Sequence, residues 1–468
     1  MMDRRVFLRN LAMFSGSLAL ASSSLTQRTV AFTESPTSGL PRAIGFGEIA
    51  PIATKNTGEV FLSLPKGFEY NVIGRVKGLM SDGRPTPAAH DGMWTFKVKD
   101  QLRIVRNHEV TGGKIPVPGS AIGTGNHYDE TAGGGTTTMV IDPKMRAVTR
   151  DFVSLSGTLI NCCGGPTPWG SWVSCEETTL GQTERINAKG VKSGGFTKPH
   201  GYCFEVSAAA DTNVPPTPLR AMGRFEHEAI AVDKKGVVYL TEDFNPCGFY
   251  RFIPRKNKRL AEGGTLQMLA IAGKPRYDTR TNQVAGTRFE ANWVTIDNPD
   301  PAEADVDPSA VSKQGHAKGG AIFIRLEGCC ADKKGRIFFT ATSGGDKQAG
   351  QIWMYERRTN DSGYLTLLYQ SDNKDMLFMP DNICVRPKSD LLFVCEDGDY
   401  PDMESKNFLR ILTSDGKTAD FARNFSSQFP RSEFAGSTFS PDGKTLFVNL
   451  QLAGATLAIW GDWDKFKK

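Results

Sequence analysis

The stretch HEAIAVDKKGVVYLTED, from His227 to Asp243, decides the fold, because a near copy, LEGCCADKKGRIFFTAT, begins at Leu326. In each, an acid (Glu228, Glu327) stands five positions before an Asp-Lys-Lys-Gly turn, and a β-branched and aromatic run follows the glycine. Apolar run, turn and apolar run together predict a hairpin. Four looser copies share the plan: HDGMWTFKVKDQLRIVRNHE from His90, NCCGGPTPWGSWVSCEE from Asn161, PDNICVRPKSDLLFVCED from Pro380 and SEFAGSTFSPDGKTLFVNL from Ser432. Units that cannot bury both faces alone must stack or close radially. The expected fold is therefore all-β, a six-bladed β-propeller with long inter-blade insertions.

The chain has 468 residues, 49 of them glycine, with 39% hydrophobic and 23% charged residues, which suits one large turn-rich domain over residues 22–468. Residues 1–21 are set apart from it. DRRVFLRN, with Arg4 and Arg5, precedes the apolar LAMFSGSLALA, and Ala19-Leu20-Ala21 offers a small-x-small cleavage site. This reads as a twin-arginine signal, which addresses the chain to the periplasm or beyond and makes the twin-arginine export machinery a partner. That route carries folded proteins, and a common reason to fold first is a metal loaded inside the cell. Removing residues 1–21, with three arginines and one aspartate, lowers the formal charge from +5 to +3. So small a charge argues against nucleic acid or an anionic membrane as partner. No later apolar run approaches the roughly 20 residues that span a bilayer, so no stable membrane anchor is expected.

Ahead of the repeats, Phe32 to Pro65 carries four prolines and reads as an extended strap. The longest insertion, about 254–320, contains the strand-like GTLQMLAIAG and then DNPDPAEADVDPSAVSKQGHAKGG, whose composition is that of a lid or mobile solvated loop. Its acids Asp300, Glu303, Asp305 and Asp307 lack the spacing of an EF-hand. No strong helix is predicted; Asn373 to Phe378 and the C-terminal WDKFKK are short candidates. Nine cysteines without a CxxC do not form a disulfide framework, and most of them, such as Cys175, Cys203, Cys384 and Cys395, read as buried hydrophobes.

In a propeller the innermost strands line one channel, so equivalent repeat positions converge there. Glu109, Cys162, Glu177, Glu228, Asp243, Glu327 and Glu433 are the candidates, with Asp381 and Asp397 weaker. So many carboxylates in one cleft are tolerable only around cations. One thiolate among carboxylates suits a transition ion, and all-oxygen sets suit calcium or magnesium. With six histidines and no HExxH, zinc is disfavoured, and iron plus calcium is compatible with the donor set. His108 and His227 flank acids but alternate away from the channel, as structural or supporting groups. The plainer alternative is that each acid merely bonds a turn at its strand end.

RNHE at Arg106, NCCGGPTPWGSWVSCEET at Asn161, HGYCFEV at His200, GRFEHEAIAVD at Gly223, YLTEDF at Tyr239, FIRLEG at Phe323, CEDG at Cys395 and FSPDGKTLFVNLQ at Phe439 resemble the PhoX-type alkaline phosphatases. The resemblance implies an exported propeller that hydrolyses phosphate monoesters on a cluster of ferric iron (Fe3+) and calcium (Ca2+), in the service of phosphate acquisition. It implies that Cys162 supplies a thiolate to iron and that Glu177, Glu228, Asp243 and Glu327 bind iron or calcium. Glu109 and Glu433 would complete calcium sites, and Arg325 would be the catalytic residue that contacts phosphate. The chain departs from the pattern in carrying Cys163 beside Cys162, so that either thiol is open as the ligand, and in being shorter than many such enzymes. A monomer is expected. The rival readings are a calcium-dependent propeller hydrolase, lactonase- or phytase-like, and a non-catalytic exported scaffold.

Overall fold

The DKKG turns show how the sequence builds its hairpins. Asp233 Oδ1 accepts the amides of Lys235 and Val237 at 2.8 and 3.0 Å, and Asp332 Oδ1 accepts those of Lys334 and Arg336, both at 2.9 Å. The closing glycines, Gly236 and Gly335, have φ of 83° and 86°, a conformation that favours glycine. The apolar runs on either side then pair as antiparallel strands.

In the computed structural model, which describes residues 43–111, 119–186, 190–398 and 406–467, six such strands lead the sheets. They are β1 (His90–Val98), β2 (Asn161–Pro166), β3 (His227–Val232), β4 (Leu326–Ala331), β5 (Pro380–Val385) and β6 (Phe434–Phe439). Residues 1–21, the expected export signal, lie outside the described residues. β1 leads a four-stranded sheet and β2 a three-stranded one. The sheets led by β3 and β4 join at their outer edges, where Arg288–Thr295 pairs with Gly363–Gln370. β6 is followed by Thr445–Leu450 and Ala455–Gly461, and the early strand Phe68–Arg75 completes that sheet. Each leading strand contacts the next in chain order, and β6 returns to β1. The arrangement is all-β and propeller-like. Its core is the set of interfaces between sheets, filled by fully buried rings such as Trp172, Phe204, Tyr239, Phe339 and Trp353. All nine cysteines are buried and unpaired.

Several expectations need correction. The described part of the strap forms sheet: Ile49–Ile52 pairs with Leu62–Pro65, which pairs with Thr418–Asn424 outside β5. The insertion at 254–320 contributes Gly264–Ile271, the strand expected from GTLQMLAIAG, to the sheet of β3, and adds the unforeseen strand Arg288–Thr295. It also holds a helix, α1 (Ala310–Ala317), where none was expected; Asp307 Oδ1 bonds the Ser309 amide ahead of it, and Val311 is fully buried. Its acidic segment is clamped rather than free, with Asp300 bonded to Tyr202 and Arg220, and Asp305 to Arg224 and the Thr183 amide. Asn373–Phe378 is a turn, and Trp463–Lys465 is a single 3₁₀ turn.

Candidate metal centre

Every leading strand carries an irregularity in its pairing near its start. The register shifts lie between His90 and Met93, Asn161 and Gly164, His227 and Ile230, Leu326 and Cys329, Pro380 and Ile383, and Ala435 and Thr438. A bulge sets two residues opposite one and re-aims the extra side chain. The first of the two bulged residues is Asp91, Cys162, Glu228, Glu327 and Asp381 in β1 to β5. In β6 it is Gly436, and Glu433 stands three residues earlier.

The second strand of each hairpin supplies the other acids. His108, Glu176, Glu242 and Glu396 pair with the first residues of β1, β2, β3 and β5, so the next residue in each case is Glu109, Glu177, Asp243 or Asp397. Alternation then separates two layers. Glu176, Glu242 and Glu396 are fully buried and take backbone amides of Leu159, Gly248 and Phe378.

The fold brings the cluster residues together in four groups whose ligand atoms lie within 4.8 Å of one another. They are Cys162, Glu177 and Glu228; Glu177, Asp243 and Glu327; Glu228, Glu327 and Asp381; and Asp91, Glu109 and Glu433. The first three share Glu177, Glu228 and Glu327, so they form one continuous cluster, and the fourth is all oxygen. Each of the seven predicted ligands is a member. Asp381, the weaker candidate, belongs as well, whereas Asp397 falls outside the groups and acts on Arg325 through its charge. Sequence reasoning missed Asp91. The signal was present, since His90-Asp91 opens its copy as His227-Glu228 opens the third.

Electrostatics argues that this assembly is made for cations. Burial, then the neighbouring Glu327, Asp381 and Glu177, push the Glu228 carboxyl well above the usual carboxylate range. Burial and the charges of Glu228, Glu177 and Asp91 likewise push the Cys162 thiol up. Glu228 Oε2 is buried with no hydrogen-bond partner among the described residues, a costly position for a carboxylate unless a cation meets it. The residues therefore fit a metal: three all-carboxylate groups for hard ions and one group with a thiol for a softer one.

Arg325 sits just before β4. Its Nε donates to Asp243 Oδ1 at 3.0 Å, and its Nη2 to Asp243 Oδ2 at 3.2 Å and to Glu327 Oε1 at 2.7 Å. Burial works against its charge, but Asp243 and Glu327 outweigh it and hold the guanidinium protonated. Cys163 turns the other way, its Sγ toward Gly164 O at 3.7 Å, and lines a cavity of about 360 Å³ with Trp94, Trp172, Cys329 and Asn382. His108 is occupied by Ala88 O and Thr137, and His227 by Gly223 O and Cys203.

Among known proteins, the family described as alkaline phosphatase PhoX matches residues 45–151 and 143–454 of the chain. No curated protein sequence matches it. A solved structure of Pseudomonas fluorescens PhoX in complex with vanadate, a transition-state analogue, superposes with a TM-score of 0.65 at 18% identity, covering 91% of this chain and 98% of that one. A gluconolactonase from Xanthomonas campestris superposes with a TM-score of 0.40 at 10% identity, covering 89% and 98%.

Proposed function

The chain belongs to the PhoX alkaline phosphatase family, and on that footing we propose that it is an exported enzyme that hydrolyses phosphate monoesters on iron and calcium ions at the centre of a six-bladed propeller. The observation that carries the metal reading is the continuity of the cluster: Glu177, Glu228 and Glu327 each belong to two groups, as carboxylates that bridge neighbouring cations would. The six-bladed reading is supported by the ring of six leading strands. Export is supported by the twin-arginine pattern at Arg4 and Arg5, and it places the enzyme in the periplasm or outside the cell.

Cys162 would hold iron with Glu177 and Glu228; Asp243, Glu327 and Asp381 would extend the same cluster; and Asp91, Glu109 and Glu433 would hold calcium. Once bound, the cations supply charge neutralisation at the phosphoryl group and acidify water. Arg325, anchored by Asp243 and Glu327, grips a non-bridging phosphoryl oxygen and fixes the orientation of the ester. Asn382, which donates to Glu228 Oε1 at 3.5 Å and to Asp381 Oδ1 at 2.9 Å, steadies two of these carboxylates.

Metal content and hydrolysis of p-nitrophenyl phosphate, measured on one exported preparation, test the proposal. Iron and calcium together with phosphate release are expected. A colourless protein that holds calcium alone returns the lactonase-like or phytase-like reading, and a metal-replete protein that releases no phosphate from any monoester returns the non-catalytic scaffold.

A further inference from the structure

We propose that His200 is a positioning residue of the metal centre: wedged between Glu176 and Asp129, it locks the one carboxylate that ties the segment bearing Cys162 to the segment bearing Glu177. This inference rests on the metal-centre reading above and assigns a role to HGYCFEV, a motif that the ligand set leaves unexplained.

Glu176 is fully buried and faces away from the channel, opposite in direction to its neighbour Glu177. Its Oε1 accepts the amide of Leu159 at 2.9 Å, two residues before β2 begins and three before Cys162. Its Oε2 accepts the amides of Gly201 and Tyr202 at 2.8 and 3.1 Å. The Glu177 amide donates to Ile160 O at 2.9 Å, so the two segments are joined twice over. Rotation of the Glu176 carboxyl would break its bond to the Leu159 amide, three residues before Cys162, and so loosen one of the two ties between the segments.

His200 prevents that rotation. Its Nδ1 donates to Glu176 Oε1 at 2.6 Å, and its Nε2 lies 3.6 Å from Asp129 Oδ2, an ion-pair distance. The ring is fully buried, with Tyr128 and Phe196 set edge-on at 5.3 and 5.1 Å. Asp129 is itself fixed by Thr131 and the Lys198 amide, so the far end of the imidazole faces a carboxylate held in place, at ion-pair rather than hydrogen-bond distance.

The sheet led by β5 repeats the device with a different cation. Glu396, equivalent to Glu176, accepts the amide of Phe378, again two residues before the leading strand, and Arg410 Nε donates to the same oxygen at 2.8 Å. The Phe408 amide takes the other oxygen at 2.9 Å, as Gly201 and Tyr202 do for Glu176. His200 thus stands where a permanent cation stands in the related sheet. Burial would lower its proton affinity, but Glu176 and Asp129 outweigh that and push it up to about 9, in keeping with a cationic role.

The test compares wild type with His200→Gln, which keeps a donor and removes the charge, and with Asp129→Asn, which alters only the far end of the imidazole. Iron and calcium retained after dialysis against graded EDTA, and kcat and KM for p-nitrophenyl phosphate, are measured on folded protein. For His200→Gln the expected outcome is metal loss at about 10- to 100-fold lower chelator, with kcat reduced and KM within about twofold of wild type, since substrate contacts are untouched. Asp129→Asn shifts both readouts in the same direction by less, and it decides the matter if His200→Gln does not fold. A loaded, active wild type whose variants retain metal and kcat unchanged overturns this inference alone; a wild type without metal overturns the metal-centre reading and this inference with it.

Discussion

Arg325 clasps Asp243 with Nε and Nη2, at 3.0 and 3.2 Å, so that the guanidinium fork and the carboxylate lie against each other at the edge of the acidic cluster. Lysine keeps the charge at this position and loses the fork. Arg325→Lys should lower kcat/KM for phosphate monoesters by about 10- to 100-fold, the equivalent of one charge-assisted bond of roughly 1.5 to 3 kcal/mol. Inhibition by inorganic phosphate should weaken in step, and phosphate inhibition of wild-type strength would remove Arg325 from the phosphate site.

The two adjacent thiols separate cleanly. Cys162 Sγ lies within the cluster, whereas Cys163 packs in the hydrophobic core. Cys162→Ala should lose iron and activity together. Cys163→Ala should keep both and lose about 1 kcal/mol of stability, the value of a buried methylene-sized group. Elemental analysis and chemical denaturation of the pair check this, and the opposite assignment would exchange the two results.

Gly436 occupies in β6 the bulge position that holds an acid or thiol in the other leading strands. Its φ is 60°, and a Cβ there would stand 2.4 Å from Asp91 O and 3.0 Å from Asn449 Nδ2. Gly436→Ala should therefore displace Asp91 and cost about 1 to 3 kcal/mol through strain. Calcium affinity should fall with stability, because Asp91 shares its group with Glu109 and Glu433. Calorimetric calcium titration of the variant makes the comparison.

His200 also gives the protein a pH signature. Its proton affinity rises from the ordinary 6.5 to about 9 in the folded chain. Below pH 6.5 both folded and unfolded chains hold the proton and the stabilisation is complete. Between 6.5 and 9 only the folded chain holds it, so stability declines as pH rises and this contribution is gone above about 9. The window is worth about 3 kcal/mol. Urea unfolding across this range should show the decline in wild type and a flatter profile in His200→Gln.

Asp91, Glu109 and Glu433 are all buried within 4.8 Å of one another, and Gln451, the amide donor shared by Asp91 and Glu109, carries no charge. Calcium should stabilise the fold by about 2.7 kcal/mol at a hundredfold excess over its dissociation constant. Glu433→Ala should weaken that dependence while leaving iron in place. Thermal unfolding with and without chelator measures both.

Much of this was legible in the chain. The DKKG turns at Asp233 and Asp332 announce their hairpins because the aspartate, the turn and the glycine form a local unit whose hydrogen bonds close within five residues. The opening and closing acids were readable for the same reason, as positions in a repeat. The reading failed where long-range partners decide. The acidic insertion looked like a free lid, but Arg220 and Arg224, far away in sequence, hold Asp300 and Asp305 down. The early strap became sheet because Thr418–Asn424 offered it an unpaired edge.

The sequence by itself determined the hairpin repeat, the all-β class and seven of the residues that meet at the centre, since periodicity and turn chemistry are local. Only the tertiary structure decided that Asp91 joins Glu109 and Glu433, that Cys162 rather than Cys163 faces the acids, and that His200 stands behind Glu176. Those outcomes depend on which side chain each bulge turns inward and on which segments the closed ring brings together, and no local pattern carries that information.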